Sequence, residues 1–303
     1  MYNYSMDLII NLNKPKDITS HDAVTEVKKI LRVKKAGHAG TLDPMATGLL
    51  LVCTNKATRL APYFSSLDKE YMAVMKLGEA TDTQDAYGKV ISKTEKFDID
   101  KTSVEEALGS FRGRILQRPP MFSALKHEGQ PLYKLARKGI EVERKPREIN
   151  IYDIALISFD LPYVKIRVSC SKGTYIRTLC DDTGKKLGVG AHLFELERTA
   201  VGPFRIENSL TPEDLKTAGG PGSKGVHSMD NAMSWMPELK ISESMIKAVI
   251  HGNPLKINDP SKLPADLIRG EGIRIKSPEG ELLAIGRFSS EKTLIKMDVV
   301  FVT

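Results

Sequence analysis

One segment, residues 37–48 with the sequence GHAGTLDPMATG, constrains the folding of this chain more than any other. It holds three glycines, a proline, a histidine and a single acid, between a basic helix pattern and the apolar run 49–53. Glycines let a backbone approach a ligand closely, and a proline restricts the preceding residue, here Asp43, to extended geometry. The spacing fits neither a P-loop nor a dinucleotide fingerprint. We predict a loop that either presents Asp43 to a ligand or uses it in an Asx turn.

The segments around this loop carry helix and strand patterns. A helix capped by Thr19 or Ser20 is predicted ahead of it, because the following apolar residues fall at helical spacing. Thr102 and Glu105 form a capping box for a helix through Leu108. Strands are predicted at 8–13, 49–53, 71–77 and 163–169, and a further helix follows Gly173 and ends at Gly184 or Gly188.

The character of the sequence changes near residue 240. A helix over 243–250 and strands at 254–257, 272–277, 281–286 and 293–302 predict a small β-rich domain. Residues 219–225, GGPGSKG, are the one low-complexity stretch. We predict a flexible linker or an insertion there.

Positive charge is concentrated rather than spread. The chain of 303 residues carries a net charge of +7, and residues 112–148 hold ten basic side chains against four acidic ones. A second basic cluster lies at 28–35, directly before the glycine-rich loop. A cluster of this kind is often only a solvated face, but two of them beside glycine- and aromatic-containing segments favour a polyanion such as nucleic acid.

Several classes of protein are disfavoured. No apolar run approaches the roughly 20 residues that a membrane span needs, and the first residues lack the pattern of a signal peptide. Three scattered cysteines indicate a reducing compartment, which predicts a cytoplasmic protein. The histidines and cysteines show no metal-ligand spacing, so neither a metal nor a cofactor is predicted. Acids in the segment 77–88 are too few for a calcium loop and are interpreted as a polar turn.

A third candidate segment, residues 169–178 with the sequence SCSKGTYIRT, lies where a strand gives way to a helix. Backbone N–H groups point outward at such a junction and favour anions. Tyr175 and Arg177 could project a ring and a guanidinium into one site, or they could be a core tyrosine and a surface ion pair.

The order and identity of these motifs together resemble one family, the stand-alone bacterial TruB family of tRNA pseudouridine-55 synthases. The resemblance spans roughly residues 8–206. It rests on the loop 37–48, on Lys69-Glu70-Tyr71 followed by 77–88, on the segment 119–137, on 171–181 and on 193–204. The chain departs from the usual family pattern at Asn13, Asp17, Ala39 and Phe122, and Asp17 stands where the family usually has glycine.

This resemblance implies an α+β fold. The catalytic domain, residues 1–238, is expected to contain a mixed, largely antiparallel sheet flanked by helices. A basic thumb that grips RNA is expected at about 119–148. Residues 239–303 resemble, more weakly, a small PUA-like RNA-binding β-barrel.

The resemblance also implies the reaction and its residues. Uridine would be flipped out and isomerised by Asp43, with Tyr71 stacked on the base, Arg177 paired with the carboxylate and Tyr175 also in the site. Whether Asp43 attacks C1′, attacks C6 or abstracts a sugar proton stays open, as does the role of Tyr175. RNA contacts are expected from His38, Lys14, Lys126, Arg137, Lys138, Arg144 and Arg198. The expected partner is the T arm of tRNA, bound by a monomer that needs no other protein.

Other functions remain possible at this stage. A non-catalytic RNA-binding protein would have no use for a confined carboxylate, which repels phosphate. A guide-dependent relative within a ribonucleoprotein is a second alternative, although the chain has no lysine-rich tails. A carboxylate-dependent hydrolase would need a second acid or a metal, and the sequence singles out neither.

Overall fold

A mixed sheet of ten strands organises the larger part of the described chain, in the order β14-β1-β3-β12-β4-β11-β10-β7, with β2 beside β3 and β13 beside β12. The structure is a computed structural model that describes residues 6–257, 272–289 and 293–302. The pairing of β3 with β12 is parallel and the other pairings in this sheet are antiparallel. This is the mixed, largely antiparallel sheet that the α+β class predicted.

The strands are β1 (Leu8–Lys14), β2 (Ala36–Ala39), β3 (Thr47–Thr54), β4 (Lys69–Leu77), β5 (Glu79–Thr81), β6 (Val90–Lys93), β7 (Gly113–Gln117), β8 (Lys126–His127), β9 (Gln130–Pro131), β10 (Arg147–Asp160), β11 (Tyr163–Cys170), β12 (Ala191–Val201), β13 (Phe204–Arg205), β14 (Val226–Ser228), β15 (Glu238–Lys240), β16 (Leu255–Lys256), β17 (Gly272–Lys276), β18 (Leu282–Ser289) and β19 (Leu294–Val300). The helices are α1 (Ser20–Ile30), α2 (Ala61–Ser66), α3 (Lys101–Gly109), α4 (Leu132–Ala136), α5 (Ile176–Lys186), α6 (Pro212–Thr217), α7 (Met229–Ala232) and α8 (Glu243–Ile250), with 3-10 turns at Asn55–Leu60 and Ile206–Asn208.

Local sequence explains why the elements nearest the site form where they do. Thr19 caps α1 through a capping box with Asp22, which satisfies two backbone N–H groups of the first turn. The central strands β4 and β11 alternate buried and more exposed residues, so each presents one face to the core. These observations confirm the predicted helix at Thr19 and the predicted strands at 71–77 and 163–169.

Three local predictions were wrong or incomplete. Residues 36–39 form β2, paired with β3, and β3 begins at 47, so the loop within 37–48 is limited to residues 40–46. Helix α3 is capped by Asp100, whose carboxylate accepts from the Ser103 N–H, and not by Thr102. A carboxylate two residues earlier caps the unpaired N–H groups of the first turn in place of the Thr102 hydroxyl.

Residues 219–225 are turns within the catalytic part of the chain and not a linker between domains. The Asn11 N–H donates to the Gly225 carbonyl at 2.9 Å, and the residues that follow form β14 at the edge of the large sheet. The low-complexity composition therefore marks a turn-rich connection between α6 and β14.

A second sheet of five described strands, in the order β15-β17-β18-β19-β16, begins at Glu238 and carries α8. The predicted helix and short strands of this region are confirmed. Closure into a PUA-like barrel stays a prediction, because residues 258–271, between β16 and β17, lie outside the described residues.

Ion pairs join this sheet to the catalytic part. Arg274 and Lys276 on β17 each lie 2.7 Å from the Asp230 carboxylate, and both also pair with Glu238. Apolar residues from both parts share one core cluster, including Phe64, Met233 and Ile285. The small sheet is therefore packed on the catalytic part over a joint apolar and ionic contact.

Candidate active site

Arg177 is the centre of the candidate site. It lies on the first turn of α5, is only 5% exposed, and directs its guanidinium at two carboxylates. Its Nε lies 2.9 Å from Asp43 Oδ2, and its Nη1 lies 3.4 Å from Asp85 Oδ2. The guanidinium also donates to the carbonyls of Thr83 at 3.2 Å and Phe122 at 2.7 Å. One side chain thus joins the loop 40–46, the segment 77–88, α5 and the start of the thumb.

Asp43 is confined but remains accessible. Its side chain is 34% exposed, and both carboxylate oxygens contact Arg177, the second at 3.3 Å from Nη2. Burial raises the pKa of Asp43 above its ordinary value, and the neighbouring Arg177 charge offsets part of that rise. Removal from water therefore outweighs the Arg177 ion pair in setting the direction of the Asp43 pKa shift.

Asp85 is the residue that sequence reasoning missed. Its segment was interpreted as a polar turn, yet its side chain is 10% exposed and shares Arg177 with Asp43. Its Oδ1 accepts from the Thr83 hydroxyl at 2.6 Å and from the Tyr87 N–H at 3.1 Å. The backbone of this segment does form the predicted turn. The prediction did not include the ion pair between the Asp85 carboxylate and the Arg177 guanidinium. The spacing of Asp82 and Asp85, three residues apart in this segment, was the signal available.

The two predicted tyrosines are brought to the same site. Tyr71 lies in the middle of β4, with Val168 on one side and Arg198 on the other. Burial raises the pKa of the Tyr71 phenol, the Arg198 charge opposes that rise, and the Asp43 charge adds to it. Tyr71 also shares one apolar core cluster with Leu42, the neighbour of Asp43 in the chain. Tyr175 is half-buried, and burial and Asp43 likewise raise its pKa.

Tyr175 is positioned by an unpredicted residue, Gln117. The Gln117 amide accepts from the Tyr175 N–H at 2.8 Å and donates to the Tyr175 carbonyl at 3.0 Å. Gln117 ends β7 and is buried, so the pair ties the start of α5 to the far edge strand of the large sheet. Neither β7 nor the contact was visible in the sequence pattern.

Lys14 and Arg198 were predicted to bind RNA, and the structure contradicts direct contact for both. Lys14 is fully buried and donates to the carbonyls of Pro15, Ile18 and Pro44 at 2.8, 2.9 and 3.3 Å. Arg198 is 1% exposed and donates to the carbonyls of Leu49 at 2.8 Å and Gly40 at 3.0 Å. Backbone carbonyls accept all of these hydrogen bonds, and one from each residue holds the Asp43 loop, Lys14 at Pro44 and Arg198 at Gly40.

The departure at Asp17 has a structural account. Asp17 adopts a positive φ of 67°, a conformation that aspartate tolerates better than most residues, and its N–H donates to the Pro44 carbonyl at 2.8 Å. The left-handed turn that glycine would supply is therefore kept.

The remaining predicted RNA-binding residues lie on the rim and on the thumb. His38 is on β2, partly buried, with its Nδ1 lacking a partner in the described part of the chain. Lys126, Arg137 and Lys138 are exposed. Arg144 is mostly buried and bonds the Pro119 carbonyl and Glu141. It also lines a cavity of about 540 Å³ beneath the thumb. The exposed thumb cations are free to meet a polyanion, whereas Arg144 is already engaged in holding the thumb together.

Neither a candidate metal-ion cluster nor a helix long and apolar enough to cross a membrane occurs among residues 6–257, 272–289 and 293–302.

Comparison with known families agrees with this geometry. Residues 28–176 match the model of the N-terminal domain of the TruB family of pseudouridylate synthases, and residues 177–223 match the C-terminal domain of tRNA pseudouridylate synthase B. The fold and the site therefore define a pseudouridine synthase, an isomerase.

Curated relatives match over almost their whole length. The tRNA pseudouridine synthase B of Clostridium tetani is 44% identical over 94% of this chain and 97% of its own length. That of Pelotomaculum thermopropionicum is 41% identical over 96% of each chain. The chain belongs to the TruB family.

Solved structures give the same fold. A chain from a Cbf5-Nop10-Gar1 complex superposes with a TM-score of 0.74 and 32% identity, covering 98% of this chain and 85% of that one. A chain from an H/ACA ribonucleoprotein bound to a substrate RNA containing 2′-deoxyuridine gives a TM-score of 0.72 and 29% identity, covering 98% and 86%.

Proposed function

We propose that this enzyme isomerises uridine to pseudouridine at position 55 in the T loop of tRNA, and that Asp43 performs the chemistry. The curated relatives that span the whole chain are named tRNA pseudouridine synthase B, which supports tRNA as the substrate. The observation that carries the assignment is the pairing of the confined Asp43 carboxylate with a buried arginine at 2.9 Å.

The reaction moves the uracil ring and leaves its composition unchanged. The C1′–N1 bond breaks, the base rotates and C1′ rejoins at C5, with the C5 proton lost and N1 protonated. Asp43 acts in its ionised form, as a nucleophile or as a base. The Arg177 ion pair favours that form against the effect of burial.

The uridine has to leave its stack before Asp43 can reach it. Tyr71 receives the extruded base, and stacking of this kind contributes on the order of 1–3 kcal/mol per base. Both phenols stay protonated at neutral pH, since burial raises the pKa of Tyr71 and of Tyr175. The two rings thus offer stacking surfaces and O–H groups without adding charge.

Binding of the rest of the tRNA falls to the surface cations. Lys126, Arg137 and Lys138 on the thumb contact phosphates, which positions the RNA without reading its sequence. His38, on the strand that leads into the Asp43 loop, fills the space that the flipped bases leave. We expect a monomer that needs no other protein.

The decisive test is Asp43→Asn, with Asp98→Asn as a control at an exposed aspartate on the loop before α3. Asp43→Asn should keep its affinity for unmodified tRNA transcript and lose isomerisation by several orders of magnitude, measured by chemical mapping of pseudouridine. Near-normal turnover of Asp43→Asn would remove Asp43 from the mechanism.

A second candidate function, guide-dependent modification within a ribonucleoprotein, is favoured by the Cbf5-containing complexes that share the fold. Chemical mapping of pseudouridine distinguishes the stand-alone enzyme from the guide-dependent one. Modification of bare transcript by the purified protein alone supports the stand-alone enzyme, and activity that appears only with a guide RNA supports the alternative.

A further inference from the structure

Within the described part of the chain, five buried side-chain nitrogen or oxygen atoms have no hydrogen-bond partner. Three of them belong to the candidate site and its thumb, on His38, Ser123 and Arg144. The other two, Asn11 Oδ1 and His227 Nε2, belong to residues that line one cavity of about 320 Å³ elsewhere in the molecule. About nine in ten buried polar atoms are paired in folded proteins, so two unpaired atoms on residues that line one cavity point to a missing ligand there.

This cavity lies on the opposite side of β1 from the core beneath Asp43. Ile10 and Leu12 pack into the cluster that contains Leu42 and Tyr71. Ile9 packs into the second cluster, and Asn11 shares the Ile9 face because side chains alternate along a strand. The cavity is therefore separate from the catalytic site.

The floor of the cavity is rigid. The Asn11 backbone is fixed at both ends, by its N–H to Gly225 at 2.9 Å and by its carbonyl to the Leu210 N–H at 2.8 Å. The Asn11 side chain is only 1% exposed. The His227 ring meets Phe204 edge-on, with 5.6 Å between ring centroids. An amide and an imidazole held in this way present hydrogen-bonding atoms at fixed positions.

The rim of the cavity is positively charged. Arg205 and Lys224 line it and are exposed, and none of its lining residues is acidic. Burial lowers the pKa of His227, so its ring is neutral and can either donate or accept at Nε2. A fitting ligand combines a hydrogen-bonding heterocycle with an anionic group. A volume of about 320 Å³ falls at the small end of the range for ligand sites, about 300–1,000 Å³.

We propose that this cavity binds one nucleotide, with the edge of its base on Asn11 and His227 and its phosphate between Arg205 and Lys224. The nucleotide is either a free mononucleotide or an unpaired residue of bound RNA. Only the second source rests on the proposed function.

The test follows the His227 imidazole by ¹⁵N NMR in the full-length Asp43→Asn protein, which holds substrate without converting it. AMP, CMP, GMP and UMP form one arm, and unmodified tRNA transcript forms the other. Arg205→Gln/Lys224→Gln removes the rim charge, Asn11→Leu removes the acceptor, and Lys216→Gln on α6 is the control for charge at an exposed site. Thermal unfolding of each variant checks that it is folded.

A mononucleotide that shifts the His227 signal, with affinity about tenfold or more weaker in the rim and Asn11 variants than in Lys216→Gln, supports a free-ligand site. A shift with tRNA alone, lost in the same variants, supports an RNA-nucleotide site. If neither ligand moves the His227 signal, the cavity holds only solvent and the proposal is overturned. Pseudouridine formation by the unaltered enzyme is measured separately, so failure here leaves the proposed function standing.

Discussion

At the scale of single residues, the site is arranged around a guanidinium that is shared by two carboxylates. Arg177 is almost wholly buried, whereas Asp43 keeps a third of its side chain exposed. Breaking such a pair leaves an uncompensated buried charge, which is strongly unfavourable. The buried Asp85 carboxylate also pairs with Arg177 and compensates part of its charge. Asp43 can therefore face the substrate while Arg177 stays in place.

The pH dependence of catalysis tests this arrangement. Because burial raises the pKa of Asp43, the acid limb of kcat/KM should lie above the ordinary aspartate range, with activity rising as the pH increases. In Arg177→Gln, burial is no longer opposed and Asp85 adds a like charge, so the acid limb should move to higher pH. Arg167→Gln, at an exposed ion pair on β11, is the control. An unmoved acid limb in Arg177→Gln would show that another group titrates.

Tyr71 allows a prediction about base capture. Tyr71→Leu removes the ring but keeps an apolar side chain, so RNA affinity should fall by on the order of 1–3 kcal/mol. Tyr71→Phe keeps the ring and is the matched control. Equal affinities of the two variants in a filter-binding assay would exclude stacking as the contribution of Tyr71.

Asp43, Arg177 and both tyrosines could be found from the sequence because each sits in a distinctive local motif. Asp85 and Gln117 could not, since their contacts depend on segments about 92 and 58 residues apart along the chain. Lys14 and Arg198 were expected to contact RNA, whereas both are buried, as lysine and arginine seldom are. The sequence around Lys14 and Arg198 does not show that backbone carbonyls from other segments accept their hydrogen bonds.

At the scale of elements, β3 and β12 come very close to each other where they pair in parallel beside the Asp43 loop. Gly48, with a φ of +100°, lies where an added Cβ would come within 2.5 Å of the Arg198 carbonyl oxygen. The parallel contact here needs a residue without a side chain, and this pairing fixes the end of the Asp43 loop.

Gly48→Ala should therefore destabilise the protein by more than the positive φ alone explains. Gly113→Ala at the start of β7 is the control, because Gly113 also has a positive φ, +88°, but has open space around its Cβ position. The φ penalty is about 1–2 kcal/mol in both. Equal melting temperatures of Gly48→Ala and Gly113→Ala would show that the contact with the Arg198 carbonyl adds no destabilisation.

Lys14 gives a prediction about stability and pH. Burial lowers its pKa from 10.5 to about 8, so between these values the unfolded chain binds the proton and the folded chain does not. Stability should rise with pH in that window, and the rise should be smaller in Lys14→Met. Lys16→Met, at an exposed position on the turn that follows β1, should keep the rise. Denaturant unfolding at pH 7.5, 9 and 10 measures it.

The elements that the sequence predicted well, α1, β4, β11 and α5, have strong amphipathic patterns or caps. The short strands β2 and β7 were missed. β2 contains a glycine-rich sequence that propensity assigns to a loop, and pairing with β3 overrides it. In short segments of this kind, tertiary contacts determine the secondary structure.

At the scale of the whole molecule, the positive charge is placed for a long polyanion. The thumb extends from the site and carries exposed cations, and its base is tied to Arg177 through the Phe122 carbonyl. The departure at Phe122 is harmless for this contact, because the backbone and not the side chain supplies the acceptor.

RNA affinity should accordingly fall steeply as salt increases. Neutralising Lys126, Arg137 and Lys138 to glutamine together should weaken binding and reduce the slope of log K against log salt by about 0.7–0.9 per lost phosphate contact. Lys101→Gln on α3, an exposed lysine outside the thumb, is the control. A slope that is the same in the triple variant and in the parent would contradict the assignment of the thumb.

The loop that carries Asp43 is held mainly through its carbonyl oxygens, by Lys14 at Pro44 and by Arg198 at Gly40. Every amino acid has a backbone carbonyl, so these two hydrogen bonds do not depend on which side chains the loop carries. Changes in the side chains of residues 40–46 can then accumulate without loosening these two anchors. Laboratory randomisation of the loop around Asp43 should likewise yield many active clones, whereas randomising positions 14 and 198 should yield few.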